Sequence, residues 1–398
     1  MGGRVMSNAL RFALASLTYY RRRFLLLVFC IALAIYLPLT PVWLIARAEH
    51  ALEDRAQSTP LILATKGSQT DLTLSALYFD GREYPMMTMK EVISIDGERA
   101  TAIPLHMRFT SLGTTIVGTT DDYYQLRGLT LAEGTWGQRF GDCVIGASAA
   151  KTLNVSPGGF LTTDPKTIFN LTADYPLRIR VTGVLRATGT PDDDVVFVSM
   201  DTAWIMEGIG HGHFDKGSEQ ETSSGEKPPM NGTSPAPDSK ENLYLEINEA
   251  NVGTFHFHGL RSSYPVTACV VLPKDTRAET LLLGQYASTS ESLVMLVQPL
   301  GVIQDVLDSV LRVRNLVLAG LLLVTAACLL LVIFIFSLTF RLRHSEFDSL
   351  AKIGASRGLV FGIYACEIGV VLVVGGLMGV TMAMLTSQSD QYLMRWII

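Results

Sequence analysis

Four of the seven histidines fall in two tight pairs, His211-Gly-His213 followed by Asp215, and His256-Phe-His258. Imidazole is a common ligand of zinc and of other transition metals. Residues two apart on a strand share a face, so a strand over Thr254 to His258 puts His256 and His258 on one side. The first pair sits at the edge of a loop-like stretch and is placed to fold over and complete a site. The chemistry would be the handling or sensing of a transition metal such as zinc. The plainer alternative is two unrelated polar pairs, and the spacing alone favours it, since neither spacing defines a site.

Other side chains offer less. Of five cysteines, Cys30, Cys328 and Cys366 lie in apolar runs, where a thiol is a small hydrophobe. Cys143 and Cys269 lie between those runs, either paired in an oxidising compartment or, more simply, as two separate buried thiols. No G-x-x-x-x-G-K-[ST] phosphate loop, nucleophile elbow or HExxH zinc site occurs, so the chain reads as a non-enzyme. The net charge of -5 gives no basic surface for phosphate backbones, which sets nucleic acid aside.

The elements that must carry these residues begin in the membrane. The chain has 48% hydrophobic and 17% charged residues and a mean hydropathy of +0.30, more apolar than an ordinary soluble domain. Residues 24–46 form an uncharged run that spans about 35 Å as a helix and so crosses a bilayer core. Pro38 and Pro41 are expected to kink its outer half. Residues 316–340 form a second run and residues 358–385 a third. The third contains Glu367 and a Gly375-x-x-x-Gly379 pattern that lets another helix approach closely, within the chain or across a dimer. Basic residues set the orientation. Arg4, Arg11, Arg21, Arg22 and Arg23 precede the first run with no acid, and Arg341, Arg343, Lys352 and Arg357 separate the second from the third. Both segments are therefore expected in the cytoplasm, with residues 47–315 outside. An amphipathic helix is expected in residues 1–23 along the inner membrane surface. The tail, residues 386–398, is expected outside, with no fourth membrane helix.

The outer region reads as strand-rich with some helix. Pro176 to Leu185 alternates apolar and polar residues as a half-buried strand does, Thr190-Pro-Asp-Asp-Asp makes a turn, and Val195 to Met200 follows as another strand. Thr114 to Gly118, Leu243 to Ile247 and Val266 to Leu272 read alike, and Ala147 to Leu153 suits a short helix. Residues 207–240 are rich in Gly, Ser, Pro, Glu and Lys and poor in large apolar groups, so a mobile insertion is expected there. Residues 278–313 have few breakers, and Leu293, Leu296, Leu300, Ile303, Leu307, Val310 and Val313 recur at helical spacing. The expectation is one amphipathic stalk helix, bent at Pro299, that runs into the second membrane helix and acts as a lever.

The most informative segment is Arg341-Leu-Arg-His-Ser-Glu-Phe-Asp-Ser-Leu-Ala-Lys-Ile-Gly-Ala-Ser-Arg357. As a helix it places Glu346, Leu350 and Ile353 on one face, one acid with two apolar groups, and Gly354 ends it. The alternative is an ordinary solvated loop. With Glu367 further on, the segment resembles the signature of the MacB and FtsX permease family through Arg341 or Arg343, Glu346, Leu350, Gly354, Ala355, Ser356 and Glu367. The order of the membrane helices and the large outer region are similar too, although that family has a fourth membrane helix. The resemblance implies that residues 341–357 form a coupling helix for a separate ABC ATPase subunit, which would supply the ATP and magnesium chemistry. It further implies a homodimer in the bacterial inner membrane, with a periplasmic adaptor or lipoprotein as a further partner and no cofactor of its own apart from the zinc considered above.

The fold class expected is an α+β membrane protein, its transmembrane helices flanking a large mixed, strand-rich extracytoplasmic domain. The leading functional expectation is a permease subunit that passes ATP-driven motion to its periplasmic domain and so exports or extracts a cargo. The alternatives are an FtsX-like regulator of a cell-wall hydrolase and a metal-sensing membrane receptor.

Overall fold

The computed structural model describes residues 15–388 apart from 16–17, 81–83, 138, 166–175, 213–244, 250, 289–292, 343–351 and 353–356. The chain divides into two compact units, the first Met1–Glu53 with Gln304–Ile398 and the second Asp54–Ile303.

Among the described residues the first unit contains three helices long and apolar enough to cross a membrane: α1 (Arg21–Gln57, whose last turn belongs to the second unit), α8 (Pro299–Leu342, whose first turn does) and α9 (Arg357–Gln388). Between them in sequence lie the shorter helices α2 (Gln69–Tyr78), α3 (Met89–Ile93), α4 (Asp121–Arg127), α5 (Ala147–Leu153), α6 (Met200–Met206) and α7 (Thr276–Ser288). Arg21, Arg22 and Arg23 are exposed at the start of α1. Leu27, Val28 and Ile31 of α1 bury themselves with Val332 of α8 and Val371 of α9. Much of the remaining apolar surface of α8 and α9 stays exposed, Leu323, Phe334, Phe361 and Leu377 among it, as helices bathed in lipid require.

Pro38 and Pro41 both lie inside α1. Proline has no N–H to return to the carbonyl four residues back, so Pro38 deprives the Ala34 carbonyl of its intrahelical donor. The Thr325 hydroxyl of α8, which donates to the Leu321 carbonyl of its own helix at 2.9 Å, lies 3.4 Å from that oxygen, a second and weaker acceptor for the same proton. Tyr36 and Thr386 add a side-chain hydrogen bond between α1 and α9, with 3.3 Å between their hydroxyl oxygens. Glu49 of α1 accepts from Arg314 of α8 at 2.8 Å.

The second unit is built on a mixed sheet. Its strands are β1 (Leu61–Thr65), β3 (Ala100–Ser111), β4 (Thr114–Thr119), β5 (Leu131–Gly134), β6 (Asp142–Ile145), β7 (Phe160–Thr162), β8 (Leu177–Leu185), β9 (Val196–Ser199), β11 (Leu245–Glu246), β14 (Ala268–Pro273) and β15 (Val294–Val297). The order is β11-β8-β6-β9-β4-β3-β14-β1-β15, with β5 and β7 also paired to β8. The pairs β4 with β9, β6 with β8 and β11 with β8 are parallel; the other pairs are antiparallel. Two short ladders stand apart, β2 (Met87–Thr88) with β13 (Pro265–Val266) and β10 (Gly210–His211) with β12 (His256–Phe257).

The alternation read in Pro176 to Leu185 is that of β8, where buried and half-buried residues alternate along the whole strand. Ala147 to Leu153 is helical, and Gly146 caps it. A Cβ on Gly146 would stand 2.4 Å from the Asp193 carbonyl oxygen, so only glycine lets the helix start so close to the Thr190-Pro-Asp-Asp-Asp turn. The sheet carries two apolar clusters. One gathers Ile116, Ile145, Ile179, Val196 and Val198 with Ile205 of the helix α6 (Met200–Met206); the other gathers Leu61, Leu63, Cys269 and Val271 with Trp204 of α6.

Two expectations change. The stalk read as one helix over residues 278–313 is interrupted: the helix α7 spans Thr276–Ser288, Val294–Val297 is a strand, and helix resumes only at Pro299. The Val-Met-Leu-Val run satisfies a helical apolar period as well as a strand's, and pairing with β1 at the sheet edge decides it. Pro299 then does not bend a helix but begins one, where its missing N–H has no helical partner to lose. Of the stretch 207–240 read as an insertion, residues 207–212 are placed in the fold and residues 213–240 lie outside the described residues. Glu207 closes α6, and Gly210–His211 form β10.

Candidate functional site

Three of the four paired histidines converge. In the β10–β12 ladder Gly210 faces Phe257 and His211 faces His256, antiparallel. Alternation then puts His256 and His258 on one side and Phe255 and Phe257 on the other. The two phenylalanines pack into the apolar core, Phe255 buried and Phe257 partly so. Glycines make room for them: a Cβ on Gly210 would meet the Phe257 ring at 2.7 Å, and one on Gly212 would meet the Phe255 ring at 2.7 Å.

On the opposite face the ring centroids of His211 and His256 are 4.8 Å apart, those of His211 and His258 are 4.7 Å apart and those of His256 and His258 are 4.7 Å apart. The Nε2 atoms of His211 and His258 lie 3.4 Å apart. His256 Nδ1 is 3.1 Å from the Thr254 carbonyl oxygen; that contact places the ring's proton on Nδ1 and its lone pair on Nε2. One ligand nitrogen from each of the three rings can be chosen so that all lie within 4.8 Å of one another. His213 lies outside the described residues.

The Gly375-x-x-x-Gly379 pattern is used within the chain. A Cβ on Gly375 would lie 2.9 Å from the Ile31 Cβ, and one on Gly379 would lie 2.7 Å from the Ala32 carbonyl oxygen, so both glycines are the contact points of α9 on α1. This face of α9 is thereby covered by the same chain and is not open to a second copy. Of the expected coupling residues, Arg341 lies exposed in the last turn of α8. Arg343, Glu346, Leu350, Ile353, Gly354, Ala355 and Ser356 lie outside the described residues. Glu367 is buried in α9.

Cys143 and Cys269 are free and buried. They sit on β6 and β14, with β9, β4 and β3 between them. Four strand spacings amount to about 19 Å, far beyond the ~7 Å limit for Cα atoms in a disulfide. Burial pushes both thiols above their ordinary range, as suits inert core side chains.

Sequence reading missed a buried charge cluster in the outer unit. Arg55, in the last turn of α1, donates from both terminal nitrogens to Asp192, at 2.6 and 3.0 Å, and from Nε to the Leu77 carbonyl at 3.2 Å. The Tyr123 hydroxyl donates to Asp192 at 2.7 Å and accepts from Arg55 at 3.0 Å. Burial alone would raise the Asp192 pKa, but the Arg55 charge and these hydrogen bonds outweigh it and hold the carboxyl below its usual range. The Tyr123 hydroxyl is pushed up to about 12 by burial and by the Asp192 charge. A second missed pair joins His106 to Glu207, 3.1 Å apart, and Arg108 adds a contact at 3.3 Å. The only signal for either was a charged residue at the edge of an apolar run.

Membrane-length helices on either side of a strand-rich extracytoplasmic domain define a membrane-anchored protein with an outer domain. Residues 26–227 match the family model of the MacB-like periplasmic core domain, and the chain belongs to that family. Solved structures similar to it include the periplasmic region of MacB from Actinobacillus actinomycetemcomitans, with 13% identity over 63% of this chain and 94% of that one and a TM-score of 0.34. The extracellular domain of the noncanonic ABC-type transporter YknZ from Gram-positive bacteria has 12% identity over 60% of this chain and 98% of that one, with a TM-score of 0.31. A domain of a putative permease protein from Porphyromonas gingivalis has 10% identity over 60% and 86%, with a TM-score of 0.26. No curated protein matches the chain.

Proposed function

We propose that the chain is the permease subunit of an ABC-type complex and that a separate ATPase subunit docks on residues 341–357. One observation carries the reading: a family match over the outer domain stands together with a Glu346, Leu350, Gly354-Ala355-Ser356 segment placed between two membrane-length helices. The exposed arginines at the start of α1 and Arg341 at the end of α8 support a cytoplasmic location for that segment and for the N-terminus. The domain from Asp54 to Ile303 then faces the periplasm.

The mechanism is mechanical. ATP-driven closure of two ATPase subunits on a permease homodimer pushes the coupling segments, and the helices continuous with them carry the displacement to the periplasmic domain, where cargo is extracted or exported. A helix transmits force when its ends are fixed. The bidentate Arg55–Asp192 pair supports such fixation, because it locks the final turn of the 37-residue α1 into the outer unit.

Affinity purification of the chain from its native membrane, with the bound proteins identified by mass spectrometry, tests this. A nucleotide-binding subunit is expected with the wild type and is lost with Glu346→Lys or Gly354→Asp. Recovery of no such subunit, or equal recovery with both variants, overturns the reading.

A further inference from the structure

The histidine cluster belongs to none of this machinery, and its geometry calls for a ligand. Donor–acceptor distances in N–H hydrogen bonds are usually ~2.7–3.2 Å, and the 3.4 Å between His211 Nε2 and His258 Nε2 is longer. It equals the edge of a tetrahedron around a zinc ion: with metal–nitrogen bonds of about 2.0–2.1 Å, two ligand nitrogens stand about 3.3–3.4 Å apart. A His256 nitrogen lies within 4.8 Å of both, wider than that edge, so His256 reaches the third corner by a rotation of its ring. The His256 Nδ1 contact with the Thr254 carbonyl is the bond that ligating histidines usually make through the nitrogen turned away from the metal, and it orients the ring.

The support is built from beneath. Phe255 and Phe257 are anchored in the core through the space left by Gly212 and Gly210, so the outward direction of His256 and His258 is set by packing on the other face. His211 and His258 are exposed and His256 is partly so, which leaves the cluster open to solvent ions. A set of imidazoles with no carboxylate selects zinc-like cations over calcium or magnesium, which prefer oxygen.

We propose that His211, His256 and His258 form a binding site for a divalent transition cation of the zinc class, held by three imidazole nitrogens with a fourth position open to water or to a donor on another molecule. The site goes beyond the permease reading and does not depend on it. Binding ties together two segments 47 residues apart in sequence, so a bound cation closes a long chain loop and holds β10 to β12.

The test is zinc uptake by the full chain in detergent, free of any purification tag, followed by titration calorimetry and by the thermal midpoint. One equivalent of zinc per chain and a midpoint raised by zinc are expected. Cobalt in zinc's place should show the visible absorption of a tetrahedral site. His258→Gln and His211→Gln, at exposed positions where glutamine is tolerated, should each weaken binding by about tenfold or more, while His50→Ala on α1 leaves it unchanged. The midpoint without metal shows that each variant folds. Absence of stoichiometric uptake by the wild type overturns the proposal, as does unchanged binding by the His211→Gln and His258→Gln double variant.

Discussion

Arg55 and Asp192 lie 137 positions apart in sequence and 2.6 Å apart in space, with side chains only 6% and 1% exposed. The carboxylate is fully engaged, since Tyr123 and Thr190 also donate to it. A buried pair with satisfied partners adds little over an apolar substitute, but a half of it left alone is an uncompensated buried charge. Arg55→Ala or Asp192→Ala should therefore each destabilise the outer unit by about 3–5 kcal/mol, while Arg55→Met with Asp192→Leu should lose less than either single change. The fluorescence of the buried Trp204 during thermal unfolding measures it.

Acid should act through the carboxylates. Asp164 accepts from the backbone N–H groups of Leu112 and Gly113 and from the Thr110 hydroxyl at 2.7–2.9 Å. Burial raises its pKa, but these hydrogen bonds prevail and lower it. With Asp164 and Asp192 both depressed in the folded state, the unfolded chain binds more protons near the ordinary carboxylate pKa of about 3.9. Their stabilisation is thus complete above that pH and is lost as the pH falls through the folded values. Unfolding followed against pH should show this decline, and Asp164→Asn should make it shallower; an unchanged slope would contradict the assignment.

At the tip of the β3–β4 hairpin Leu112 has φ of 48° and is 75% exposed. The left-handed conformation costs a branched residue roughly 1–2 kcal/mol, and this side chain recovers little by packing. Leu112→Gly keeps the backbone donor to Asp164 and should raise stability by about 1 kcal/mol, seen as a higher thermal midpoint.

In the membrane unit, Gly379 is the tightest contact of α9 on α1. Gly379→Val should force the helices apart and cost about 1–3 kcal/mol, with a lower midpoint in detergent. Gly320→Val on α8, where a Cβ meets nothing within 4 Å, serves as the control and should change little.

How far the sequence foretold this depends on the range of the interaction. The three membrane-length helices among the described residues and the alternation of β8 rest on local composition and periodicity, and both were legible. His256 and His258 share a face by the same local rule, but their meeting with His211 requires a ladder between segments more than forty residues apart, which no spacing encodes. Val294 to Val297 fits two periods at once, and only the exposed edge of β1 selects between them. Arg55 follows the first apolar run, and no spacing marks it for burial. Its partner lay in what read as a plain acidic turn, and the burial of that turn follows from packing against Gly146.

The Thr325 hydroxyl at the Ala34 carbonyl has a consequence for biogenesis. The two residues are 291 positions apart, so the ribosome completes the whole outer domain before it delivers the donor. Until then the Ala34 carbonyl, which Pro38 deprives of its helical donor, lacks this shared proton as well. This tie between α1 and α8 is thus both late and weak, added only after each helix has been made.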